Sequence, residues 1–324
     1  MNEIAMRAAR TGGPEVIERV SIELTPPRLE EVRIRHHAIG VNFIDAYFRS
    51  GLYPTPLPTG LGSEAAGVVE AVGPDVVLVA VGDRVAYATG PLGAYSTARN
   101  IAANLLVPLP DSIDFDIAAA AMLKGMTAAM LAGPCAKVER GQHALVHAAA
   151  GGVGSILVQW LARLGVEVIA HAGTEAKAAQ AKAAGASTAL SCQLDELASA
   201  VRGVTGGRGV DVVFDGVGAA SWAATLASVA KRGMLVVFGN ASGPVPPVDP
   251  LALMRAGSIF LTRPSLFDYA AASADRAKLA GALFDMIGTG LKIEIGQRFP
   301  LADAAEAHRR LEARQTVGST VLTI

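Results

Sequence analysis

Residues 143–164 read His-Ala-Leu-Val-His-Ala-Ala-Ala-Gly-Gly-Val-Gly-Ser-Ile-Leu-Val-Gln-Trp-Leu-Ala-Arg-Leu. The apolar run from His143 to His147 predicts a buried strand, and Ser155 to Leu164 predicts a helix, with only small residues between them. A dinucleotide-binding turn needs small residues at three places: the tight turn, the approach to the pyrophosphate, and the contact of helix with strand. Ala149, Gly151 and Gly154 stand at that spacing, with alanine in place of the first glycine. The amides of Gly152 and Val153 then open the helix, where the positive end of its dipole suits a pyrophosphate. The plain alternative is a turn that merely permits close packing. Its place between a strand and a helix, inside a longer series of such pairs, favours the cofactor.

The same stretch is long enough to imitate a membrane span, since Ala144 to Ala162 carries no acidic side chain, lysine or arginine. Three glycines interrupt it, and His147, Ser155 and Gln159 would each need a partner in lipid. A strand, turn and helix in a protein core accommodates them, and no membrane span is expected.

The alternation continues downstream. Strands are predicted at 166–171, 187–190, 210–214, 234–238 and 258–262, with helices best marked at 175–184 and 221–230. Strands apolar almost throughout and separated by helices form a parallel sheet covered on both faces. The first 110 or so residues instead read as short strands punctuated by turns, as at Gly73-Pro74 and Gly82-Asp83. Two alanine-rich helical stretches follow Asp111, separated near Lys124-Gly125 and ended by Gly133-Pro134. The last sixty residues give a helix over 274–286, with Ser273 as its cap, and short strands at 292–295 and 318–324 that are expected to rejoin the first domain.

The 324 residues suffice for two domains, and a 51% hydrophobic, 18% charged composition is that of a folded chain. With 28 Lys+Arg against 29 Asp+Glu and 5% aromatic residues, nothing supplies the basic, ring-lined groove of a nucleic-acid binder. Cys135 and Cys192 are the two cysteines, without CxxC spacing, which excludes a four-cysteine zinc lobe and fits a reducing, cytoplasmic setting. His36-His37 is the one adjacent histidine pair; neighbours on a strand face opposite ways, so it reads as structural. Neither HExxH nor a GxSxG elbow is present.

NAD and NADP are told apart at the end of the second strand, where an acidic residue would bind the ribose diol and repel a 2′-phosphate. That place is His171-Ala172-Gly173, followed by Thr174 and Lys177, a hydroxyl and an ammonium suited to a phosphate. NADPH is therefore the expected cofactor. The alternative, Glu175 as the diol acceptor beside a solvated Lys177, requires a carboxylate several residues past the strand end.

Several further segments stand in a telling order: Gly12-Gly13-Pro14-Glu15-Val16, Asn42-Phe43-Ile44-Asp45, Arg49-Ser50-Gly51-Leu52-Tyr53-Pro54, Gly62-Ser63-Glu64-Ala65-Ala66-Gly67, the 147–154 turn, and Phe238-Gly239-Asn240. With these the chain closely resembles the zinc-independent quinone oxidoreductases, the ζ-crystallin-like branch of the medium-chain dehydrogenase/reductase superfamily. The resemblance spans nearly the whole chain. It implies an α/β protein with a GroES-like, β-rich catalytic domain (1–123 and 266–324), a Rossmann doubly wound domain (124–265) and a cleft between them. Zinc-dependent relatives carry a cysteine near Asn42 and a histidine before the glutamate of Gly62-Ser63-Glu64; Asn42 and Ser63 are poor zinc ligands, and no metal is expected.

By the resemblance, NADPH would meet Phe43, Ile44, Asp45 and Tyr47, and Met130 on the connecting helix. In the second domain it would meet Gly152, Val153, Gly173, Thr174, Lys177, Cys192, Val217, Phe238, Gly239, Asn240 and Ala241, with Pro264 and Ser265 at the nicotinamide and Arg314 near the adenine. Cys192 stands where similar enzymes have a tyrosine on the adenosine phosphate, and a thiol is the weaker partner. A quinone accepts hydride readily and its oxygen can take a proton from water, so no dedicated acid is demanded. Asn42, Tyr47 and Tyr53 are candidates for the acceptor pocket, with Tyr53-Pro54 equally readable as a turn anchor. The implied activity is NADPH:quinone reduction. Reduction of an enal or enone double bond stands as the alternative, and an NADPH-binding structural or RNA-binding crystallin-like role as the alternative of another class. A homodimer is expected, pairing the 258–262 strand about a two-fold axis, with a covered edge in a monomer as the other reading.

Overall fold

A computed structural model describes Glu3–Ile324. The chain forms two compact units: one runs up to Met126 and takes in Ala270–Asp285 and Ile293–Ile324, and the other comprises Thr127–Tyr269 and Met286–Lys292. Compared with a division at 124 and 265, the units meet slightly later in the chain, and a short return at 286–292 goes with the second.

The second unit is built on a six-stranded parallel sheet in the spatial order Thr188–Leu190, Glu167–His171, His143–Val146, Val210–Asp215, Val229–Val237 and Phe260–Thr262. Every neighbouring pair is parallel, the doubly wound arrangement expected of apolar strands alternating with helices. Its helices include α3 (Gly152–Arg163), α4 (Glu175–Ala183), α5 (Leu194–Val204) and α6 (Trp222–Ser228), counted after α1 (Phe43–Ser50) and α2 (Phe115–Met130) of the chain. Leu145, Ile169, Val213 and Leu235 pack on one face of the sheet with Leu197, Val201 and Ala224. Side chains alternate along a strand, so His147, His171 and Asp215, each two residues further on, belong to that same face at the carboxyl ends of three adjacent strands. The stretch that imitates a membrane span is thus a strand, a turn and a helix.

The first unit carries a seven-stranded sheet in which Ile295–Pro300, Ser319–Thr323, Glu31–Val41, Glu64–Val72, Arg84–Tyr87 and Val107–Pro108 lie side by side and Ala98–Ala102 pairs with Glu31–Val41. A three-stranded sheet of Ile17–Ile22, Glu3–Ala8 and Thr59–Gly60 completes it. Ser319–Thr323 runs antiparallel to Glu31–Val41, so the end of the chain rejoins the first unit as expected. Ile34, Ile39, Leu61, Val69, Tyr87, Tyr95 and Leu322 are among its core.

Three expectations are corrected. The two alanine-rich stretches are one helix, α2, continued by a wider turn over Leu131–Cys135. Gly125 is no break: a side chain there would collide with Leu283, so the glycine lets two helices of the first unit approach closely. The helix expected over 221–230 is shorter, because Val229 already pairs with Val210 as a strand. The strand expected over 292–295 is displaced to Ile295–Pro300. His36 and His37 face opposite ways: the buried His36 bonds the Ser96 carbonyl and the Tyr87 hydroxyl, and the exposed His37 stacks on Phe115. By length and composition Phe115–Cys135 could cross a membrane, and most of it is buried within the protein.

Candidate active site

The turn after strand His143–Val146 begins with Ala148, whose left-handed backbone (φ 49°) is rare for a residue with a side chain and is found at sites where the fold fixes a loop. Gly151 caps α3 in an extended conformation, and no side chain caps the helix. The first amides of α3, those of Gly152 and Val153, therefore face a half-buried position with their donors uncommitted to a cap. A side chain at Gly154 would run into the Ala148 carbonyl and come within 2.9 Å of the Ala149 Cα, the close helix-to-strand contact that the third position of the motif provides.

At the end of the next strand, Gly173 is open, with nothing within 4 Å of where a Cβ would stand. Thr174 caps α4, its hydroxyl accepting the Lys177 amide at 3.3 Å, so these residues share the first turn of one helix. Cys192 is half-buried; its carbonyl accepts a 3.0 Å bond from His171 Nε2, and burial pushes its thiol above the usual range. Taken together, an uncapped helix start, a turn closed to side chains and an open glycine beside a hydroxyl and an ammonium fit a dinucleotide carrying a 2′-phosphate.

Asp215 ends its strand fully buried and accepts four bonds: from Val217 N (2.7 Å), Gly218 N (3.1 Å), Ser221 Oγ (2.7 Å) and Thr225 Oγ1 (2.7 Å). Its carbonyl accepts Phe238 N at 2.8 Å and Gly239 N at 3.4 Å, while Ala241 N bonds Gly216 O and Ser242 N bonds Val217 O. The loops bearing Val217 and Phe238 to Ala241 are thus laid against each other. With its amide turned to satisfy both neighbours, Asn240 donates to Gly239 O (3.0 Å) and accepts from Arg263 Nη2 (3.2 Å). Pro264 is buried, and Ser265 starts the short helix Leu266–Tyr269 by accepting from Asp268 N and Tyr269 N. Met130 belongs to the core at 1% exposure, which makes it a packing residue rather than an open contact.

In the first unit, Asn42 caps α1, and its buried amide Nδ2 donates to Glu64 at 2.8 Å. One N–H of that amide is thereby committed to a carboxylate. Asp45 is likewise enclosed: its carboxyl accepts from Asn42 N (2.9 Å), Ser63 Oγ (3.0 Å) and Tyr95 OH (3.0 Å), which leaves its side chain no open face for a cofactor. Burial raises the Asp45 carboxyl to about 7. Glu64, also raised by burial, accepts the Leu123 amide at 2.6 Å and faces Lys124 Nζ at 3.5 Å. Tyr95 continues to His308 Nε2 (3.0 Å), whose Nδ1 meets Arg49 Nη1 (3.0 Å), and Arg49 forks onto Glu312 at 2.7 and 2.9 Å. Because the guanidinium only donates, His308 Nδ1 is the acceptor and Nε2 carries the proton.

Phe43, Ile44, Tyr47 and Tyr53 lie on α1 and the turn behind it. Tyr47 and Tyr53 meet edge to face with centroids 5.2 Å apart, flanked by Phe43 and Phe48. Arg314 belongs to this unit too, exposed after the helix Ala304–Glu312. Among the described residues no three His, Cys, Asp or Glu side chains gather closely enough to hold a metal ion. The sequence reading missed Asp215, Thr225, Tyr95 and His308. Asp215 left a signal, a carboxylate directly after the apolar run Val212-Val213-Phe214; His308, 259 residues from its partner Arg49, left none.

Residues 152–285 match the model of the zinc-binding dehydrogenase family, and residues 28–111 that of the alcohol dehydrogenase GroES-like domain. The chain is 50% identical to a quinone oxidoreductase of Pseudomonas aeruginosa, with 97% of each covered. It is 41% identical to a 2-haloacrylate reductase of a Burkholderia species, over 97% of this chain and 96% of that one. The structure superposes with a TM-score of 0.97 on the Escherichia coli quinone oxidoreductase complexed with NADPH, 42% identical, covering 99% of this chain and all of the other.

Proposed function

The chain belongs to the quinone oxidoreductase family of medium-chain dehydrogenase/reductases, and from that premise we infer that it is an NADPH-dependent quinone oxidoreductase. The observation that carries the cofactor is the turn at 148–154, shaped so that only a glycine fits at 154 and left without a side-chain cap. NADPH supplies a hydride from its nicotinamide. The amides of Gly152 and Val153 hold the pyrophosphate, and Thr174 and Lys177 receive the 2′-phosphate beside the open Gly173. The loops at 217 and 238–241, with Pro264 and Ser265, orient the nicotinamide end. The edge-to-face pair of Tyr47 and Tyr53 supplies the aromatic surface for a quinone ring.

A second reading, reduction of an electron-poor carbon-carbon double bond, is supported by the likeness to the 2-haloacrylate reductase. Steady-state rates with 1,4-benzoquinone, a 2-haloacrylate and a simple enone under saturating NADPH separate the two. The quinone should give the highest kcat/KM; a clear preference for the alkene would transfer the assignment.

We also propose a cytoplasmic homodimer. Two free cysteines suit a reducing compartment. The edge strand Phe260–Thr262 exposes Phe260 (61%) close in sequence to the exposed Leu251 and Met254, an apolar edge suited to pairing with its copy. Light scattering should give twice the monomer mass for the wild type and the monomer mass for Phe260→Lys; a wild-type monomer would end this reading.

A further inference from the structure

His147 stands just beyond the apolar part of its sheet face, formed by Leu145, Ile169 and Val213, with His171 and Asp215 beside it at the carboxyl ends of the neighbouring strands. Its ring is 1% exposed, and its Nδ1 has no protein partner. An apolar side chain would fill the position without stranding an acceptor, so the ring is kept for what its other nitrogen does. That nitrogen, Nε2, lies 2.9 Å from Thr225 Oγ1, and Thr225 Oγ1 lies 2.7 Å from Asp215 Oδ2. The carboxylate can only accept, so the Thr225 proton goes to Asp215 and the hydroxyl oxygen accepts from His147 Nε2–H. Each member has one direction to bond in.

The three residues join places that the sheet itself does not join. The ladder between strands His143–Val146 and Val210–Asp215 ends at Val146 and Phe214, and beyond it one backbone bond remains, from His147 N to Phe214 O at 3.0 Å. Past that point one chain turns into the left-handed Ala148 and the dinucleotide turn, and the other into the 216–218 loop, whose Val217 and Gly218 amides are held by Asp215 Oδ1. The backbone carbonyl of Asp215 adds the 238–241 loop through Phe238 N.

We propose that His147, Thr225 and Asp215 form a positioning relay which fixes the spacing of the dinucleotide turn against the 216–218 and 238–241 loops, and so sets the affinity for NADPH. None of the three is a catalytic residue. The inference rests on the NADPH reading above. A dinucleotide touches the turn and the loops at different points, so an error in their spacing is charged to cofactor binding and not to quinone binding. Because the relay is buried, its bonds are strong and directional, and each member loses a partner when the middle one is removed.

Thr225→Val keeps the shape of the side chain and removes both bonds. The Kd for NADPH, titrated by fluorescence without quinone, should rise about tenfold, the scale of one buried hydrogen bond to a charged group. KM for NADPH should rise by the same factor, while KM for benzoquinone and kcat at saturating NADPH stay within about twofold of wild type. Thr225→Ser, which restores the hydroxyl, should bring the Kd back. Val201→Ala, a cavity in the same core, should lower Tm without moving the Kd. If Thr225→Val does not fold, His147→Phe removes the Nε2 donor alone and should shift the Kd in the same direction. The relay is overturned if the folded variant loses Tm yet binds NADPH like wild type, or if serine fails to restore binding. A wild type that does not bind NADPH would remove the cofactor reading and the relay with it, whereas a binding wild type with unaltered variants removes the relay alone.

Discussion

At Lys177 the chemistry of one side chain decides between two cofactors. The residue sits in the first turn of α4 with its amide capped by Thr174, beside a glycine with open space around it and with no carboxylate closing the preceding strand. Lys177→Ala should raise KM for NADPH about tenfold or more and leave KM for NADH within about twofold, the loss of one ammonium-phosphate pair. Equal effects on both would show that Lys177 does not touch the phosphate. The positions of Thr174, Lys177, Gly152 and Val153 at two helix starts were readable from the sequence because a dinucleotide turn and its following strand set them at fixed spacings. The enclosure of Asp45 and Asn42 was not legible, since nothing in Asn42-Phe43-Ile44-Asp45 reveals that Ser63, Tyr95 and Glu64 come in from elsewhere in the chain to bond them.

Among the elements, α3 and its turn depend on one missing side chain. Gly154→Ala would place a methyl group against the Ala148 carbonyl and the Ala149 Cα, with backbone on both sides and no flexible group to yield. Differential scanning should show a Tm lower by several degrees and a titration should show weaker NADPH binding; an unchanged Tm with unchanged binding would mean that helix and strand are not locked as described. The strand and helix series after residue 142 was legible because apolar runs and amphipathic repeats alternate cleanly there. The unity of α2 was not: Lys124-Gly125 looks like a break, and only the packing of Leu283 against Gly125 explains why the helix continues through it. Likewise Val229 is taken from the expected helix by its pairing with Val210, a contact that local propensity does not encode.

Across the whole molecule, burial of ionisable groups sets the response to acid. His36 and His147 are held at about 4, and His308 at about 3, each chiefly by burial, against 6.5 for the ordinary side chain. The unfolded chain therefore binds protons that the folded one refuses, so the stability these groups contribute is present above 6.5 and is lost as pH falls toward 4. Asp45 works in the opposite sense: raised to about 7 from 3.8, it favours the fold at low pH and loses that contribution as pH rises through 7. Glu64, likewise raised by burial, acts in the same sense as Asp45; against these two carboxyls the three histidines set the balance, so Tm should fall between pH 6.5 and 4 with net proton uptake on unfolding. A Tm that is flat or rising toward acid would contradict the buried, neutral histidines. The assignment of function as a whole is tested most directly by the loss of NADPH absorbance with 1,4-benzoquinone, in protein treated with a metal chelator, run beside NADH. The expected result is NADPH oxidation that depends on quinone, survives chelation and exceeds that of NADH. Failure to oxidise either cofactor with quinone present would contradict it.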